Sequence, residues 1–79
     1  MMTEDVLVFI ARKLVDHPDE VRVTSIEGDR VDTVLELRVH PDDMGKVIGK
    51  RSRTAKAIRT VVKAAATREG TSATVEIVD

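Results

Sequence analysis

The 79-residue chain predicts a two-layer α+β domain in which one three-stranded sheet carries helices on one face. Three observations predict it. Apolar residues recur at helical spacing near both ends, and they alternate with polar ones from Val31 to His40 and again from Ala73 to Ile77. Glycine, proline and acidic residues punctuate the segments between.

The first helix is expected over residues 4–16, with Thr3 as N-cap, Glu4 and Asp5 in the first turn, and Arg12 and Lys13 near its end. Leu7, Ile10 and Leu14 form its apolar stripe, broadened by Val6 and Phe9. His17-Pro18 ends it. Val21, Val23 and Ser25 alternate with Arg22 and Thr24 in a short strand, and Glu27-Gly28-Asp29 turns the chain. Val31, Thr33, Leu35, Leu37 and Val39 then define one buried face of a longer strand, antiparallel to the first.

Pro41 opens a very short second helix, with Asp42 and Asp43 facing the positive end of its dipole and Met44, Val47 and Ile48 on its apolar side. Gly49 stops it. Ser52 is placed to cap a third helix reaching about Arg68, where Gly70 ends it. Ala55, Ile58, Val62 and Ala65 face the core from that helix, while Arg53, Lys56, Arg59 and Lys63 follow another side. A last strand alternates Ala73, Val75 and Ile77. The order is helix, strand, strand, helix, helix, strand, with room for a parallel crossover before the last strand.

Seventy-nine residues make one domain, spanning 1–79, with a small core. There is no cysteine to staple it, so dimerisation or a partner protein is the expected source of added stability. The apolar run Val6–Ala11 is too short for a signal-peptide core or a membrane span, which points to a cytoplasmic protein without a membrane partner.

Net charge is −1, yet the charge is sorted along the chain. From Met44 to Arg68 there are eight basic residues and no acid, whereas the remainder carries five bases and all fourteen acids. Local charge sets the field at a binding surface, so this segment is a candidate polyanion site despite the neutral total.

Within it runs Met44-Gly45-Lys46-Val47-Ile48-Gly49-Lys50-Arg51-Ser52-Arg53. A tight loop with little side-chain bulk lets the backbone approach a phosphodiester. The helix that follows offers free N–H groups and its positive dipole end. Lys50 and Arg51 add mobile charge between Gly49 and Ser52. An apolar groove formed by the short helix and the long strand is expected beside the loop to hold bases.

This run, in its helix-loop-helix setting, resembles the core of KH domains, where Val/Ile-Ile-Gly leads into a Gly-x-x-Gly loop. The element order matches the type II arrangement. His40-Pro41-Asp42-Asp43-Met44-Gly45 and the later Ala57-Ile58-Arg59-Thr60-Val61-Val62 are similar to the small stand-alone bacterial KH proteins of the KhpA (YlqC) family. The resemblance implies a mixed three-stranded sheet and a non-catalytic protein that binds about four nucleotides of single-stranded RNA. It also implies no cofactor, an RNA-chaperone or post-transcriptional role, and either a homodimer or a heterodimer with a larger KH-containing RNA-binding protein. The RNA-contacting residues it implies are Lys46, Val47, Ile48, Gly49, Lys50, Arg51, Ser52, Arg53, Lys56 and Arg59. Ser52 stands where the family has its second loop glycine.

Other readings fare less well. Gly49-Lys50 does not make a nucleotide-binding P-loop, because Met44 occupies the first glycine's position and Arg51 that of the magnesium-binding hydroxyl. His17 and His40 lack a zinc-ligand pattern and read as helix-end and strand-end residues. No nucleophile, base and oxyanion site assemble, so neither an enzyme nor a small-molecule substrate is expected. With Phe9 as the one aromatic residue, base stacking on exposed rings is unsupported. A helix-turn-helix DNA-binding protein is the main alternative, disfavoured because the chain has no Asn or Gln to pair with adenine. A protein-interaction module with weakened RNA binding is the other.

Overall fold

In the computed structural model, which describes residues 2–79, the strand with the clearest alternation sits in the middle of the sheet. Helix α1 (Met2–Leu14) leads to β1 (Arg22–Glu27) and β2 (Thr33–Arg38), and then to the five-residue α2 (Met44–Ile48). The long α3 (Arg53–Arg68) and β3 (Ala73–Ile77) complete the order, with single 3-10 turns at Pro18–Glu20, Pro41–Asp43 and Lys50–Ser52. β2 pairs antiparallel with β1 and parallel with β3, so the sheet is mixed and three-stranded.

The register puts Val23 opposite Leu37, and Leu35 opposite both Ser25 and Val75. Leu35, Leu37, Ala73 and Val75 therefore share one face, where they are buried with Leu7 and Ala11 of α1, Val47 of α2, and Ile58, Val62 and Ala66 of α3. Period-two alternation located the strands because β2 and β3 each bury one face. In β1 only Val23 is half-buried, with the buried Val21 just before it. β2, expected to be longer, matches β1 at six residues.

The buried row of α1 differs from the expected stripe. Thr3, Leu7 and Ala11 are buried, continued by Val15 just beyond the helix, while Ile10 is half-buried and Leu14 and Phe9 are exposed. The row alternates small Thr3 and Ala11 with larger Leu7 and Val15, and α3 likewise buries Ala55 and Ala66. Close helix approach selects size over hydrophobicity at such positions.

Thr3 is not an N-cap, since the helix already includes Met2; its hydroxyl donates to the Glu69 carboxylate at the end of α3. That bond joins the start of α1 to the end of α3, so the two helices run antiparallel. On α3 the buried row ends on Ala66 rather than the expected Ala65, which is half-buried.

Gly70 ends α3 as expected. With φ at 77°, it lets Thr71 N–H reach Ala66 O (3.0 Å) while its own N–H reaches Thr67 O (3.0 Å). These are the two bonds of a Schellman cap. Asp32, at the start of β2, then receives this turn: its carboxylate accepts from the Thr71 hydroxyl (2.8 Å) and the Ser72 N–H (3.1 Å). The Thr71 bond, followed by those from Ser72, holds the Asp32 carboxyl below its ordinary pKa.

Candidate nucleic-acid interface

The loop between α2 and α3 depends on three residues with positive φ. Gly49 (φ 76°, ψ 170°) closes α2 with its N–H on Gly45 O at 2.9 Å. A Cβ there would lie 2.7 Å from Thr54 Cβ and 2.8 Å from Thr54 N, so space and conformation both require glycine. Arg51 (φ 56°, ψ 31°) and Ser52 (φ 60°, ψ 22°) follow in the left-handed region. Ser52 does not cap α3: its side chain makes no capping hydrogen bond, and a left-handed backbone differs from the extended one an N-cap requires. Instead Ser52 N–H donates to Gly49 O (3.2 Å) and Arg53 N–H to Lys50 O, closing a 3-10 turn.

A network missed in the sequence anchors this unit from below. Asp43 is fully buried rather than a solvated first-turn acid. Its Oδ1 accepts Asp16 N–H (3.1 Å), and its Oδ2 accepts His17 N–H (3.0 Å) and lies 3.0 Å from His17 Nδ1. Burial opposes ionisation of this carboxyl, but the Asp16 and His17 hydrogen bonds outweigh it, holding its pKa below the ordinary value. Lys46 Nζ lies 3.2 Å from Asp16 Oδ2 and 3.7 Å from Asp43 Oδ1. The Asp16 hydrogen bond, foremost, raises the Lys46 pKa.

His40 Nδ1 accepts Asp42 N–H (3.0 Å), and its ring stacks on His17 at a centroid distance of 4.0 Å. Asp43 and this stack tie the end of α1 to the start of α2. His17, His40 and Asp42 bring ligand atoms within 4.8 Å of one another. The two rings are only 14° from parallel, however, so their in-plane lone pairs do not converge on one ion, and both Nδ1 atoms are already engaged.

Of the ten residues singled out in the sequence, Val47 is fully buried and Ile48 half-buried, so Val47 presents no surface. Lys46 is committed to its carboxylates. Lys50, Arg51, Arg53 and Lys56 are exposed, and none of them forms an ion pair among the described residues. Lys56, Arg59 and Lys63 continue from the loop along one row of α3 at helical spacing.

That row borders a recess of about 300 Å³ between α3 and β3, lined in part by Arg59, Thr60, Lys63, Ser72, Ala73 and Thr74 and by no acidic side chain. This recess lies against β3 and includes no residue of α2, so it is a different surface from the groove expected between the short helix and the long strand. β2 is hydrogen-bonded on both sides, which leaves β3 as the edge beside α3. No sequence periodicity distinguishes an edge strand from a central one.

A mixed sheet ordered β1-β2-β3, helices on one face and a glycine-led basic loop joining α2 to α3 define a type II KH domain. The chain belongs to the KhpA/KhpB KH-domain family, whose model matches residues 4–77. It is 55% identical to the RNA-binding protein KhpA of Clostridium acetobutylicum, over 95% of this chain and 99% of that one. Identity to KhpA of Bacillus subtilis is 51%, over 96% and 93% of the two chains. Its fold is also similar to part of Aquifex aeolicus Era in a crystal structure with GDP and aluminium fluoride, with a TM-score of 0.69 at 18% identity. That likeness covers 96% of this chain and 29% of the Era chain, and it concerns the fold alone.

Proposed function

We propose that this chain is a single KH unit that binds single-stranded RNA without catalysis. The Gly49–Ser52 loop grips the sugar-phosphate backbone, the recess beside β3 receives bases, and the footprint is about four nucleotides. The observation that carries this reading is the continuity of the surface. Lys50 and Arg51 stand exposed on a glycine-pinned turn, and an acid-free cationic row leads from them to the recess. Relatives named RNA-binding protein KhpA support the same reading. The role we assign is that of a cytoplasmic RNA chaperone or post-transcriptional regulator.

Self-association is part of the proposal. Ile10 and Leu14 of α1 and Ala57 and Val61 of α3 border a second recess, of about 190 Å³, whose lining is apolar. Val61 is 45% exposed in the single chain. A second copy, or the KH domain of a larger partner, would cover this strip and enlarge a small core.

Titration with short single-stranded RNA and with duplex DNA of matched length tests the function. Saturable binding of the RNA at moderate salt, with at least tenfold weaker binding of the duplex, is the expected result. A preference for the duplex would favour the helix-turn-helix reading.

A further inference from the structure

One charged side chain lining the recess between α3 and β3, Arg59, is anchored on the edge strand. In a parallel ladder each residue's N–H and C=O point to the same side, and the side alternates along the strand. Ser72 O accepts from Thr33 N–H and Val78 N–H donates to Leu37 O, so the even-numbered residues of β3 face β2. Ala73, Val75 and Ile77 therefore present their backbone groups at the open edge. Arg59 confirms this parity, since its Nε–H donates to Val75 O at 3.1 Å from outside the sheet.

That bond occupies one lone pair of Val75 O. The Thr60 and Thr67 hydroxyls donate to carbonyls of their own helix, at 3.0 and 2.9 Å. The recess keeps acceptors, in the Thr60 and Thr67 hydroxyl oxygens and the edge carbonyls of β3, beside three kinds of donor: the terminal N–H groups of Arg59, the Lys63 ammonium and the edge N–H groups of β3. Arg59 is solvent-exposed and has no carboxylate partner among the described residues, so its fork is available to a ligand.

Resting on the RNA-binding reading, we propose that Arg59 is a specificity-determining residue that selects a base offering two adjacent acceptors. Its Nε, anchored on Val75, fixes the guanidinium plane, and the terminal nitrogens present a two-donor fork. Cytosine offers N3 beside O2, and guanine offers N7 beside O6. Uracil separates its two carbonyl oxygens with an N–H, and adenine sets its one amino group beside both N1 and N7 and has no two acceptors side by side. The chemistry read is the acceptor pair, so cytosine and guanine are favoured over uracil and adenine.

The test is equilibrium binding of single-stranded RNA octamers of uridine, either unchanged or carrying two central cytidines, guanosines or adenosines, at one fixed salt concentration. The cytidine or guanosine octamer, or both, should bind about tenfold more tightly than the other two; the two arms show which base is read. Arg59→Lys keeps the charge without the planar fork, and should level the series while still binding the uridine octamer. Arg12→Met, which removes an exposed charge on α1 outside the loop and the recess, should leave the preference intact.

Equal affinities for the parent, or a preference that survives in both Arg59→Lys and Arg59→Met, would overturn the assignment while leaving RNA binding in place. If the parent bound no octamer, the RNA-binding reading itself would fail, and this inference with it.

Discussion

Two consecutive residues with side chains, Arg51 and Ser52, occupy the left-handed region, where a Cβ is penalised by roughly 1–2 kcal/mol per residue. The sequence identified Ser52 as the unusual loop residue but assigned it a capping role that its backbone forbids. Local sequence could not distinguish the two, because serine is a good cap and a poor left-handed residue. Ser52→Gly should therefore leave stability unchanged or raise it by up to about 1 kcal/mol, relief of strain being partly offset by glycine's backbone entropy. Removing the Cβ and hydroxyl should also tighten RNA binding. Chemical denaturation and RNA titration of the same variant check both expectations.

Asp43 is a second residue whose role follows from tertiary structure. Its acidic neighbour Asp42 made both look like first-turn acids, and only the returning end of α1 brings Asp16 and His17 onto it. Because its folded pKa lies below its unfolded value, the stability it contributes is present above the ordinary carboxylate pKa of about 3.9. That contribution is lost as pH falls through the lower, folded value. The urea midpoint should accordingly fall as pH drops from 5 towards 3. Asp43→Asn should be less stable at pH 7 and should show a shallower acid limb.

At the scale of elements, the strands were legible and the faces of the helices only partly so. Period-two alternation located all three strands, and Gly70 marked the end of α3, whose start was placed through a cap that Ser52 does not make. The buried row of α1 was misjudged because Thr3 and Ala11 are small, and hydrophobicity scales weight both below Ile10, Leu14 and Phe9. The same misjudgement hid the exposure of Leu14, which with Val61 edges the apolar strip between α1 and α3. If that strip joins two copies, sedimentation at micromolar concentration should give a species near twice the 8.7 kDa chain mass. Val61→Asp should then sediment as a monomer with an unchanged circular dichroism spectrum. A parent that sediments as a monomer would exclude the homodimer.

Across the whole molecule, charge is the organising feature. The basic stretch from Met44 to Arg68 folds into α2, the loop and α3, so sorting along the chain becomes sorting in space. The location of the basic segment was readable from the sequence. Two things were not: which cations stay free, since Lys46 is spent on Asp16 and Asp43, and which strand walls the recess.

The most direct test of the central claim is RNA binding by the double variant Lys50→Asp with Arg51→Asp, measured alongside the parent. Both side chains are exposed, so the fold should survive. The parent, contacting about three phosphates, should bind single-stranded RNA with a log–log salt slope near −2. The double variant should show no binding at the same salt concentration, with a normal circular dichroism spectrum. A folded double variant that binds RNA as tightly as the parent would contradict the account.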